Sequence, residues 1–73
     1  MLKEISVSYT ESHPMKGKYS TATFFAAEKY TMEIQTPEQY QLEYEKAFSR
    51  VQSIVDSQVE LAATEGRIVE IAQ

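Results

Sequence analysis

From Lys3 to Tyr9 the chain alternates: Lys3, Ile5, Val7 and Tyr9 point one way, and Glu4, Ser6, Ser8 and Thr10 the other. A period of two is that of a strand with one buried face. The stretch from Glu11 to Gly17 holds turn formers, punctuated by Pro14 and Gly17, and predicts the turn of a hairpin. A second alternating run follows from Lys18 to Ile34. Its even positions, among them Ala22, Phe24, Ala26, Tyr30, Met32 and Ile34, are the more apolar and are expected to face the core. Matching apolar faces sets a register. With Val7 opposite Phe24, Tyr9 meets Ala22, Ile5 meets Ala26, and Lys3 meets Glu28 in a favourable cross-strand pair. In that register Thr31–Ile34 run past the first strand, and unpaired edge backbone invites another strand.

The next signal is a helix start. Thr36 supplies an N-cap hydroxyl, Pro37 a first helical residue with preset φ, and Gln39 a capping-box partner. Neither Gly nor a further Pro interrupts the run from Pro37 to about Thr64, and Gly66 is a natural stop. At ~1.5 Å per residue the helix would be about 42 Å long. A ten-residue strand spans only ~33 Å, so the helix is expected to overhang its hairpin. Tyr40, Tyr44, Ala47, Val51, Ile54, Gln58 and Leu61 recur at alternating spacings of four and three, as in a coiled-coil seam. Phe48, Val55, Val59 and Ala62 form a second stripe beside it, wider than one hairpin needs. The tail, residues 67–72, is apolar again and reads equally as a short third strand, a helical extension or an arm crossing to a partner.

The pattern predicts one α+β domain over residues 1–73. An antiparallel β-hairpin (about 2–35) packs on one long C-terminal amphipathic helix (about 37–64). A core of this size rarely supplies more than ~3–5 kcal/mol alone. With no Cys and one His, disulfides and thiolate or imidazole-rich metal sites are excluded as staples, which leaves oligomerisation or a very economical core. The expected homodimer interface comprises Tyr44, Val51, Ile54 and Leu61 on the helix, with Thr31 and Ile34 at the strand edge.

Charge narrows the partners. Residues 1–35 carry four Lys and four Glu, whereas residues 36–73 carry seven acids and three bases. An acidic helix disfavours generic duplex DNA binding, which rests on neutralising phosphates, and suits solubility or a basic protein surface. No apolar run is long enough for a signal peptide or a membrane span, so a cytoplasmic location is expected.

Chemistry is sparse. His13 lies between Ser12 and Pro14 near Glu11, on a stretch that reads as one exposed, flexible turn. Nucleophilic catalysis needs a base held between nucleophile and orienting acid, so no catalytic or metal role is expected for it. The helix carboxylates, among them Glu38, Glu43, Glu45, Asp56 and Glu60, read as a solvated face rather than an acid/base pair in a dry pocket. With two glycines there is no phosphate-cradling loop. No cofactor and no enzymatic activity are expected. On the outward sheet face, Tyr19 and Phe25 lie among Ser and Thr with Lys16, Lys18 and Lys29 nearby. Aromatics and cations in that setting can stack single-stranded nucleic acid, which makes a second reading.

The stretch Ser6-Val-Ser-Tyr9, the turn, Gly17-Lys-Tyr19, the long second strand and the acidic helix together resemble small uncharacterised hairpin-plus-helix proteins of bacteriophages and mobile elements. Members of that group open the second strand with Gly-Asn-Tyr-Glu, whereas this chain has Gly17-Lys-Tyr-Ser20, so only the Gly and Tyr agree. The resemblance implies a host cytoplasm and brings no catalytic residues. The leading expectation is a non-enzymatic homodimeric protein-binding module, a phage-type inhibitor or accessory factor acting on a host protein. The alternative is a single-stranded nucleic-acid-binding dimer.

Overall fold

The computed structural model describes residues 1–17 and 19–69. Two antiparallel strands, β1 (Leu2–Pro14) and β2 (Thr21–Glu33), form a hairpin, and one helix, α1 (Pro37–Thr64), lies along a single face of it. The result is an α+β fold of two layers, 51 × 21 × 15 Å in extent. Among the described residues there is no third strand.

The helix bounds match the sequence signals. Thr36 has extended backbone angles, and its Oγ1 accepts the Gln39 N–H at 3.1 Å. The Gln39 side-chain Oε1 in turn reaches past the cap to accept the N–H of Gln35, the residue before it, at 2.7 Å. At the other end the Gly66 N–H donates to Ala63 and the Arg67 N–H to Ala62, the paired bonds of a Schellman stop. That stop needs a left-handed residue, and Gly66 sits at φ +75. The chain then runs back across the hairpin end. Ile68 bridges Met15, the Val69 N–H donates to the Pro14 carbonyl, and the Lys16 N–H donates to the Arg67 carbonyl. The tail from Arg67 to Val69 is thus neither helix nor crossing arm but a single bridge to β1. The rest of the 67–72 tail lies outside the described residues.

The strand faces are as expected, but the register is not. Val7 lies opposite Glu28, Ile5 opposite Tyr30, Tyr9 opposite Ala26, and Glu11 opposite Phe24. The pairing is displaced by four residues from the expected one, because β1 continues through Glu11–Pro14 and the turn is confined to residues between Met15 and Ser20. Gly17, at φ +74, makes that turn. Three expectations fall with the register. Lys3 meets Met32 rather than Glu28; Thr31 pairs with Glu4 and is not overhanging; and the Ile34 N–H donates to the Met1 carbonyl at 2.9 Å. The helix does not overhang either, since each strand has 13 residues and spans ~43 Å.

The core is a line of small and β-branched side chains. Ala47, Val51, Val55, Val59 and Ala62 are the buried helix residues, spaced four, four, four and three apart. Ile5 and Val7 pack with Ala47 and Val51, flanked by Tyr30, Met32 and Phe48. Val55, Val59, Ala62 and Ile68 form a second cluster with Ala22 and Phe24. Tyr9 and Ala26, opposite each other in the ladder, touch both clusters and join them.

Candidate interaction surface

The core takes Val55, Val59 and Ala62 from the stripe beside the seam, and Ala47 and Val51 from the seam itself. Val51 and Ile34, two of the six expected interface residues, are 1% and 6% exposed and belong to the chain's own core. Tyr44, Ile54, Leu61 and Thr31 remain exposed. Ile54 and Leu61 are 50% and 56% exposed. Helical period puts them on the flank that also carries Arg50. That flank overlies β2. Arg50 pairs with the Glu28 carboxylate at 3.0 Å, donates to the Tyr30 hydroxyl at 3.2 Å and lies over the Tyr30 ring. Leu61 and Gln58 line a shallow groove with Thr23, Phe24, Phe25 and Arg67. Phe25, 58% exposed, projects from the opposite side of the same strand.

Backbone pairing shows which groups of β2 are free. The Met15–Ser20 and Ile34–Met1 hydrogen bonds mark odd residues of β1 and even residues of β2 as the mutually bonded pairs. The odd residues of β2 therefore direct their N–H and C=O groups to the open edge. Even residues of β1 do the same on the other side, where Pro14 has no N–H and its carbonyl is taken by Val69. One edge is closed at its turn end; the other is open among the described residues from Thr21 to Thr31, and at its far end the Glu33 carbonyl accepts the Gln39 side-chain N–H at 3.4 Å.

The opposite flank is polar. Tyr9 meets Phe48 edge to face, with ring centroids 5.8 Å apart. Its hydroxyl donates to Glu11 Oε2 at 3.0 Å, and His13 Nε2 donates to Glu11 Oε1 at 2.7 Å. Accepting the hydrogen bond of the protonated phenol, Glu11 holds the Tyr9 pKa above its ordinary value, and desolvation and the Asp56 charge act the same way. His13 is not the exposed turn residue expected. It lies in β1, 8% exposed, with its ring against Phe24. Pro and Gly misplaced the turn, and the inward parity of Tyr9, Glu11 and His13 was the signal that places them together. Among the described residues no group of three His, Cys, Asp or Glu could hold a metal ion.

The expected nucleic-acid residues are dispersed. Lys16 and Tyr19 are exposed in the turn, and Lys18 lies outside the described residues. Phe25 and Lys29 do share the outward sheet face, but Lys29 is paired with Glu4 at 3.4 Å, and Glu33 lies on the same face. No described helix is long and apolar enough to cross a membrane. Compared with known protein families, curated proteins and solved structures, the chain shows no match.

Proposed function

We propose that this chain is a non-enzymatic homodimeric protein-binding module, a phage-type inhibitor or accessory factor that acts on a host protein in the cytoplasm. The observation that carries the reading is the exposed apolar flank of Ile54 and Leu61 beside a strand edge with free backbone groups. Apolar side chains at such a place lose contact with water when a second protein covers them. The outer helix face, with Glu45, Asp56 and Glu60 exposed, is the surface offered to a basic host protein. Acidic residues there would speed and orient encounter more than they would tighten it.

Light scattering at micromolar concentration tests the dimer. The wild type is expected at twice the mass of one chain, and Ile54→Glu at one, with its circular dichroism unchanged. Affinity capture from host lysate tests the module. A protein held by the wild type and released by Asp56→Lys with Glu60→Lys supports it. Retention of nucleic acid that falls steeply with salt, with no protein held, supports the sheet-face alternative instead. Glu4 and Glu33 on the sheet face weaken that alternative, because they repel phosphate beside Lys29.

A further inference from the structure

We infer that the second copy docks on the open edge of β2, antiparallel and with its two-fold axis at Ala27, giving a four-stranded sheet with both helices on one face. This rests on the homodimer reading and assigns it a surface. Four observations lead to it.

The first is which edge is free. β1 is closed at its turn end by Pro14 and by the Arg67–Val69 segment. Among the described residues β2 is touched on this edge only at its end, where the Glu33 carbonyl accepts the Gln39 side-chain N–H at 3.4 Å, and its odd-numbered backbone groups from Thr21 to Thr31 point outward unpaired. Edge lysines usually discourage strand addition. Here the only described lysine on β2, Lys29, is neutralised within the hairpin by Glu4 at 3.4 Å.

The second is spacing. Two hairpins side by side in one sheet have centres ~9.6 Å apart, twice the strand separation. Packed helices have axes ~8–10 Å apart. Pairing the strands therefore brings the helices into contact without adjustment, along the flank that carries Ile54 and Leu61.

The third is register. An axis at Ala27 pairs all 13 residues of β2 with the second copy's β2. Phe25 then faces Lys29 of the second copy, and Tyr30 faces Phe24 of the second copy. No like charges meet. An axis at Glu28 or Lys29 would set identical charges against each other. The helix agrees. Arg50 sits at the level of Glu28 and Tyr30, and Leu61 at the level of Thr23 to Phe25. Ile54 lies between them, over Ala27, and would meet Ile54 of the second copy on the axis.

The fourth is area. The side of the molecule along this edge is 51 Å long and between 15 and 21 Å deep. The outline of that side is on the order of 800 Å², large enough to hold the ~800 Å² per partner of a standard-size interface.

The chain has no Cys, so single cysteines report the edge directly. Ala27 and its hairpin neighbour Ser8 are both exposed on the outward sheet face. Under mild oxidation Ala27→Cys should double its mass on a non-reducing gel, and Ser8→Cys should not. Ala27→Pro deletes an outward N–H and no hairpin hydrogen bond, so it should stay folded and fall to one-chain mass in light scattering. A wild type of two-chain mass in which Ser8→Cys crosslinks, or Ala27→Cys does not, overturns the β2 edge and leaves the dimer standing. A folded wild type of one-chain mass overturns both.

Discussion

Glu11 accepts two hydrogen bonds on the inward face of β1, from Tyr9 and from His13, and each partner carries a prediction. Because Glu11 holds the Tyr9 proton, one of the five tyrosines should titrate above 10.0 in an ultraviolet titration, and Glu11→Gln should bring it down. The sign follows for stability. A pKa raised in the folded state contributes stability that is fully present below the unfolded value and is lost as pH rises through the folded one. The wild type should therefore lose stability above pH 10.0 more steeply than Glu11→Gln does. His13 is held by packing against Phe24 as well as by Glu11. His13→Ala should leave Glu11 short of a donor and cost about 1–3 kcal/mol in urea unfolding. Tyr19, fully exposed in the turn, serves as the control, and Tyr19→Ala should change stability by less than about 0.5 kcal/mol.

At the scale of elements, the helix was legible because its ends are marked by chemistry. A hydroxyl cap, a preset Pro and a terminal Gly each act locally, so their meaning does not depend on the rest of the fold. Thr36→Ala should cost about 1 kcal/mol by thermal or denaturant unfolding, as the Gln39 N–H loses its acceptor. The strands were legible in face and not in register. A period of two is unchanged by a shift of four residues, so Val7 matched to Phe24 and Val7 matched to Glu28 bury the same faces. Only the turn could decide between them, and Pro14 misled. It reads as a breaker, yet its missing N–H is on the outward side of β1, where no ladder bond is lost. The same parity makes Ala26→Pro and Ala27→Pro opposites. The first removes a ladder donor to Tyr9 and should unfold the hairpin by circular dichroism. Of the candidate surface, Ile54 and Leu61 were visible as an apolar stripe wider than one hairpin needs. Which stripe the core would take was not, because Val51 and Val55 belong to different stripes in the sequence and to one ridge in the structure.

For the whole molecule the shape matters most. A chain 51 Å long and two layers deep has little interior, and its buried side chains lie in a single file under the helix. Pairing along β2 would widen it without lengthening it. Small-angle scattering should then show a longest dimension close to that of one chain with twice the volume. Its melting temperature should also rise with concentration, a tenfold increase adding about 1.4 kcal/mol per dimer, whereas Ile54→Glu should melt at one temperature throughout. The bridge from Ile68 to Met15 bears on how this molecule opens. It is a contact between residues far apart in sequence, and the second half of the core is complete only with Ile68 in place. The first half, where Ile5 and Val7 pack against Ala47 and Val51, does not include it. Val55, Val59 and Ala62 share their cluster with Ile68, so a chain whose Arg67–Val69 segment detaches loosens at the turn end while the other end stays packed.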